Sequence, residues 1–379
     1  MKVENIRWEA DTGWSSDLDH AGDLKDANFV LYFGGQGTLD DGSHYQELKD
    51  LYPNAHIMGC STGGEISGDE VIDDSIVASA VKLEKSTMDF ANIEIEDAKE
   101  SFNVGKEIAQ KLIKDNLKNI FILSDGLNVN GSELVKGLVD VVGNEVILTG
   151  GLAGDGADFG KTFVGLDQAP TSSRVVAVGF SGDDLNVSYG SFGGWDNFGP
   201  ERTVTRSEGN VLFELDDRPA LELYKEYLGE EAEKLPGSGL LFPLNIKPNT
   251  ESKDEIVRTI IGIDEEQNSL IFAGDVPEGY IARLMKGNFD NLVDGAAHAA
   301  EKAEGNNDNE SLAVLVSCIG RKLLLGQMIS DEVEAVVDTL GEETNTIGFY
   351  SYGEICPFGY SDTCGLHNQT MTITTMSEK

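Results

Sequence analysis

Phe29-Val30-Leu31-Tyr32-Phe33-Gly34-Gly35 is an apolar run halted by two glycines, which reads as a strand buried on both faces followed by its exit turn. Residues 43–51 then have the makings of a short helix stopped by Pro53, and Ala55-His56-Ile57-Met58-Gly59 returns as a second strand. Strand, helix and strand in that order open a β-α-β unit.

The alternation continues outward from this stretch. Residues 75–83 and 88–95 read as strands, and residues 102–113 place Val104, Ile108, Leu112 and Ile113 on one side of a helix. A buried strand at 120–123, a helix at 132–142 and a strand at 146–148 follow. Residues 175–180, 185–189, 202–205 and 211–215 form four successive strand patterns, which suggests an antiparallel extension. A helix at 219–228 begins with Pro219, and Pro236-Gly237-Ser238-Gly239 punctuates the middle of the chain. Beyond it, strands at about 240–245, 256–261, 270–272 and 280–284 precede a helix at 289–303. A strand at 312–316, helical material through 336–340 and strands near 346–350 and 370–374 close the chain. Single cores stop growing near about 250–300 residues, and this chain has 379. The expected fold is therefore α/β, as two mixed-sheet α/β domains with antiparallel extensions packed together. Residues 1–27 form a polar N-terminal segment, 28–217 the first domain and 218–379 the second. No fixed-period repeat of the solenoid kind is visible.

Lys and Arg total 28 against 67 Asp and Glu, a formal net charge of −39. Nucleic-acid phosphates and anionic lipid surfaces need clustered positive charge, so neither is an expected partner. The acidic residues are dispersed, as at Glu94, Glu96 and Asp97, at Glu230, Glu231 and Glu233, and at Asp308 and Glu310. They read as a solvated acidic coat suited to a high-salt habitat. No run of about 18 apolar residues predicts a membrane-spanning helix, and the N-terminus lacks a signal-peptide pattern. Four cysteines in this length fit reduced thiols and a cytoplasmic location.

The segment Gly59-Cys60-Ser61-Thr62-Gly63-Gly64-Glu65-Ile66 follows a predicted strand. Its small residues let the backbone approach a bound group, and Cys60, Ser61 and Thr62 supply compact polar contacts. The plainer reading is a tight turn with capping hydroxyls. It matches neither a Walker loop nor a dinucleotide fingerprint. Thr149-Gly150-Gly151-Leu152-Ala153-Gly154-Asp155-Gly156 is a second loop of this kind. Asp155 could orient a ligand amine or hydroxyl, although Asp-Gly is commonly a turn former. Gly193-Gly194-Trp195 could wall a pocket with its indole. Ser317-Cys318-Ile319-Gly320-Arg321 sets a guanidinium among apolar neighbours, where it could hold a carboxylate in a bidentate fork or form a domain-interface salt bridge. Tyr352-Gly353-Glu354-Ile355-Cys356-Pro357 and Leu366-His367-Asn368-Gln369-Thr370 are polar clusters near the end of the chain.

A hydrolase using Cys60 or Ser61 ranks last among the alternatives, since Cys60 with His367 is a weak nucleophile-base pair and no local catalytic spacing surrounds either. His20, His44, His56, His298 and His367 are scattered, without an HxxxH or CxxC spacing, so no metal site is expected. No catalytic residue is assigned. Cys356 and Cys364 read as structural thiols.

Five of these stretches, Gly59–Ile66, Gly150–Gly156, Cys318–Arg321, Gly353–Ile355 and His367–Thr370, resemble in this order the FIST family, the first two its N-terminal domain and the last three its C-terminal domain, over about residues 28 to 374. The resemblance implies an intracellular sensory domain, found beside histidine kinases, methyl-accepting chemotaxis proteins and cyclic-dinucleotide enzymes, that binds a small ligand such as an amino acid or related carboxylate. It implies pocket candidates at Cys60, Ser61, Thr62, Gly63, Gly64 and Glu65, at Gly151 and Asp155, and at Arg321, Glu354, His367 and Asn368. Some family members are linked to haem, for which His367 is the motif-borne candidate ligand, though its polar neighbours favour hydrogen bonding; no cofactor is otherwise expected. No transmitter domain fits beside these motifs, so a histidine kinase, chemotaxis or cyclic-dinucleotide partner is expected in trans.

Overall fold

The computed structural model describes residues 1–16, 21–305, 311–341, 344–358 and 363–379; His20, Asp308 and Glu310 lie outside them. The chain is α/β with mixed sheets and antiparallel extensions.

The first unit comprises β1 (Lys2–Glu9), β2 (Phe29–Gly35), α1 (Ser43–Leu51), β3 (His56–Thr62), β4 (Glu65–Ser67) and β5 (Ile76–Lys82). β2 and β3 are parallel, β5 returns antiparallel to β2, and β1 lies antiparallel to β5. Every residue of β2 is buried. Phe29, Leu31 and Phe33 face a central core, while Val30 and Tyr32 pack with Leu48 of α1 in an outer one, which accounts for an apolar run without alternation. The polar N-terminal segment supplies β1 and a short hairpin partner, Gly13–Ser16. Val3 and Ile6 are buried in β1, and Glu4, also buried, accepts from the Gly22, Asp23 and Leu24 amides and the Tyr52 hydroxyl.

The same plan recurs twice. The second unit has β6 (Thr87–Glu94), α2 (Ser101–Leu112), β7 (Leu117–Ser124), α3 (Gly131–Val142), β8 (Ile147–Leu152), β9 (Val164–Leu166) and β10 (Arg174–Ser181). The third has β11 (Leu185–Phe192), α4 (Phe289–Ala303), β12 (Ser311–Cys318), α5 (Ile329–Leu340), β13 (Thr344–Ser351), β14 (Gly353–Pro357) and β15 (Met371–Glu378). Each has a parallel pair, β7 with β8 and β12 with β13, and each returns through β10 or β15 to an outer β6 or β11. The molecule is thus built on a threefold repeat of one supersecondary unit.

The units exchange their short strands in a ring. β4 leaves the first unit to pair with β13 of the third, β14 leaves the third to pair with β8 of the second, and β9 leaves the second to pair with β3 of the first. Three equivalent backbone bonds mark the crossings: Gly63 N to Tyr350 O at 2.7 Å, Tyr352 N to Leu152 O at 3.1 Å and Gly154 N to Ser61 O at 3.0 Å. Inner faces of all three sheets meet in the central core, where Phe33 stacks on Phe349 at 4.5 Å. The two sequence halves are therefore joined by shared sheets.

The strands expected as one antiparallel extension are dealt to different sheets. β10 and β11 belong to the second and third units, whereas Asp196–Glu208 and Val211–Leu215 start an eight-stranded antiparallel sheet inserted between β11 and α4. This sheet curls over the helix Ala220–Leu228 and has its own core, including Val204, Leu215, Leu221, Leu270 and Leu284. The Pro236–Gly239 punctuation lies inside this inserted region.

A glycine recurs at one position of the units. Gly59, Gly150 and Gly348 oppose Tyr32, Ile122 and Leu315 in the parallel pairs, and a Cβ on them would stand 2.3, 1.9 and 2.2 Å from those residues' carbonyl oxygens. Gly348→Ala is expected to destabilise by about 1–3 kcal/mol or more through overpacking against immovable backbone, whereas Gly37→Ala, with nothing within 4 Å of its Cβ, should be neutral. Urea melts of the two variants decide it, and equal midpoints would remove the steric account.

Candidate functional site

The motif residues converge on the ring of crossings. Glu65 and Glu354 hold equivalent positions at the start of the exchanged strands and are held alike. Glu65 accepts from the Thr62 hydroxyl and from the Ser75 amide and hydroxyl. Glu354 accepts from the Ser351 hydroxyl at 2.8 Å and from the Thr370 amide and hydroxyl at 3.2 and 2.9 Å. Val164 occupies the third equivalent place, opposite Cys60. Gly151 pairs with Glu354 across the β8–β14 ladder, and its Cβ would lie 2.7 Å from Val316. Ser61 Oγ donates to the Gly154 carbonyl and accepts from the Phe163 amide. Gly63 and Gly64 carry the crossing, with Lys322 Nζ on the Gly63 carbonyl and on Asp73. These polar groups bond to one another, so the loop is the joint between units.

Arg321 is wholly buried, and its Nε meets Glu332 at 2.5 Å. Its other nitrogens donate to the carbonyls of Gly193, Gln369 and Leu292. The Tyr350 hydroxyl and Ser317 complete Glu332's bonding. The bidentate fork expected for a ligand carboxylate is thus directed inward, to an ion pair inside the third unit and not across a domain interface.

Asp155 organises its own loop, one oxygen accepting from the Gly160 and Lys161 amides at 2.7 Å each and the other from the Tyr352 hydroxyl. This clamp presents Phe159, 45 % exposed and at φ +49, a left-handed conformation that bulky residues rarely adopt. Its ring stacks on Tyr352 at 4.6 Å.

Phe159 and Tyr352 border a cavity of about 310 Å³ between the ring of crossings and the inserted sheet. Leu152, Ile319 and Gly320 line its inner side, while Thr259, Ile261 and Phe272 come from the inserted region. Gly63 is one layer behind, since a Cβ there would sit 2.7 Å from Ile319. Leu127, Phe159 and Ile261, three of the exposed large apolar residues among those described, all lie on this cavity. Two wall residues have buried oxygens without a protein partner, Thr259 Oγ1 and Asn368 Oδ1, and an unmet buried polar group costs about 1–3 kcal/mol.

Of the pocket candidates named from the motifs, Asn368 lines this cavity and His367 a separate one of about 290 Å³ with Trp195, Phe358 and Lys302. His367 Nε2 is 2.9 Å from the Cys356 carbonyl, its ring lies 4.7 Å from Phe358, and burial lowers its pKa to about 4. That contact with a carbonyl is the hydrogen bonding its polar neighbours favoured. Cys60 is buried in the central core, where burial raises its thiol pKa, and it lines neither cavity. No nucleophile-base pair joins it to His367. Among the described residues no group of three His, Cys, Asp or Glu is placed to hold a metal, and all four cysteines are free thiols. Thr259, Ile261, Phe272, Asp275 and Phe159 escaped the sequence reading, because they lie between motifs; the first four are brought here by the inserted region and Phe159 by the loop that Asp155 holds.

Burial pushes Glu65 up to about 7 and Glu354 up to about 8 against donors that pull the other way. A carboxyl with a raised folded-state pKa binds its proton more tightly when folded. Its contribution is complete below the unfolded value near about 4.3 and is lost as pH rises through the folded one. The melting temperature should therefore fall more steeply in the wild type than in Glu354→Gln from about pH 5 to about pH 8.5. Calorimetry across that range checks it, and parallel curves would refute it.

A FIST N domain matches residues 28–218 and a FIST C domain residues 220–357, so the changeover falls within the inserted region. An uncharacterized protein of Methanocaldococcus jannaschii is 27% identical over 355 residues, covering 82% of this chain, and the chain spans 66% of that relative's length. A cyanuric acid hydrolase from A. caulinodans aligns over 100% of this chain and 99% of its own at 7% identity, with a TM-score of 0.40, too low to bear on fold or function. No helix among the described residues is long and apolar enough to cross a membrane. FIST domains are associated with sensory signal transduction and small-ligand binding, and the family is generally non-enzymatic. The chain belongs to the FIST family, an N domain followed by a C domain.

Proposed function

We propose that this protein is a cytoplasmic small-ligand sensor whose binding site is the cavity between the ring of crossings and the inserted sheet. The observation that carries the reading is the cavity itself. It combines an apolar rim of Leu127, Phe159 and Ile261 with unpartnered oxygens on Thr259 and Asn368, the composition of a small-molecule pocket. Its walls come from two bodies with separate cores, the three-unit ring and the inserted sheet. A ligand touching both favours the arrangement in which they close on it, and a partner reads that population shift. The partner is a histidine kinase, a chemotaxis protein or a cyclic-dinucleotide enzyme acting in trans, as family membership suggests.

A ligand at a hundredfold excess over its Kd stabilises by about 2.7 kcal/mol, a shift of several degrees. A thermal-shift screen of metabolite-sized compounds should find such a hit. Ile261→Trp, at a position 47% exposed on the rim, should fold normally and lose the shift. A hit that Ile261→Trp binds as well as the wild type would place the site elsewhere.

A further inference from the structure

The chemistry of the cavity wall restricts what it can hold. Among the described residues its one charged lining residue is Asp275, and none that lines it is Lys or Arg. The two oxygens of Asp275 accept from Asn130 Nδ2 at 3.1 Å and Lys136 Nζ at 3.2 Å. Lys136 also holds Glu133 at 2.6 Å. Nearby Arg258 lies behind Gly274 and donates to the carbonyls of Asp275 and Leu366, while Arg321 is spent on Glu332 and three carbonyls. A carboxylate here meets an anion and no available cation, and transferring it from water without a partner is strongly unfavourable. Cys318, on the same wall, remains a neutral thiol because burial raises its pKa.

The unpaired groups define the complement. Asn368 Nδ2 donates to the His367 carbonyl at 3.0 Å. Only the nitrogen can donate, so this bond fixes which end of the amide is Oδ1. That oxygen accepts only, and the Thr259 hydroxyl can either give or accept. Both oxygens lie just beneath the cavity wall, and a molecule with an N–H to give and a carbonyl to offer satisfies both once those side chains turn to it.

We propose that the cavity takes an uncharged ligand of the carboxamide class and rejects the corresponding carboxylates. This rests on the small-ligand reading of the same cavity and departs from the amino-acid or carboxylate ligand expected from sequence.

The test uses the full chain with carboxamide and carboxylate twins of one carbon skeleton: benzamide and benzoate, phenylacetamide and phenylacetate, valeramide and valerate. Affinities are measured by ligand-observed NMR and thermal shift. The amide of at least one pair should bind at least tenfold more tightly than its acid, and Thr259→Val should weaken that amide about tenfold, the loss of one hydrogen bond. Thr259→Val without ligand should melt no lower than the wild type, since its hydroxyl has no partner to lose. A clear fall in that melting temperature overturns the proposal without reference to any ligand. An acid that binds more tightly than its amide, with Ile261→Trp abolishing the effect, overturns the ligand class but leaves the sensor reading standing. No binding by any twin also overturns the ligand class, and if the wider screen yields nothing that Ile261→Trp disturbs, the sensor reading falls with it.

Discussion

The three backbone hydrogen bonds at the crossings are the constraint on which the rest of the molecule depends. Within one unit, the second strand of the parallel pair has a neighbour on one side only. Its other edge would present unpaired amides and carbonyls, a liability that folds normally cover. Each unit covers the next unit's edge with a strand of its own, and the debt closes after three steps. The buried carboxylates Glu65 and Glu354 belong to this device. Each ties the start of an exchanged strand to the residue just before its unit's return strand, Ser75 or Thr370, which fixes where the chain leaves one sheet and re-enters another.

Much of this was legible locally. The long strands have continuous apolar runs because both their faces are covered, and helices such as Ser101–Leu112 and Phe289–Ala303 carry their apolar stripe where the structure buries it, although Ile113, expected in the first stripe, lies past the helix end and is 50% exposed. The exchanged strands Glu65–Ser67, Val164–Leu166 and Gly353–Pro357 went unread. Three to five residues carry too little periodicity to register, and each strand's partner lies in another unit. The same holds for Lys2–Glu9, whose charged residues suggested a polar segment although Val3, Glu4 and Ile6 are buried. The threefold repeat escaped because its units differ in length and share few side chains; its clearest shared mark is one glycine apiece.

The site was half legible for a related reason. Glycines, hydroxyls and carboxylates at strand exits look the same in sequence whether they face a ligand or one another. Here Thr62, Glu65, Asp155, Arg321 and Glu354 face protein partners, and their chemistry is structural. The cavity is bordered by their neighbours, Leu152, Ile319, Gly320 and Tyr352, and roofed by residues of the inserted sheet. Asn368 is the motif residue that belongs to both, on the cavity wall and next to the Gln369 carbonyl that receives Arg321.

The exchange of strands also governs the order in which the protein can be made. Glu65–Ser67 pairs with Thr344–Ser351, so when the first unit leaves the ribosome its exchanged strand has no mate, and the edge of His56–Thr62 awaits Val164–Leu166 of the next unit. Pairings so distant along the chain make folding slow and leave strand edges open to wrong partners meanwhile. The high negative charge spread along the whole sequence keeps nascent copies apart by mutual repulsion, so the acidic coat protects the chain during the interval in which its ring is still open.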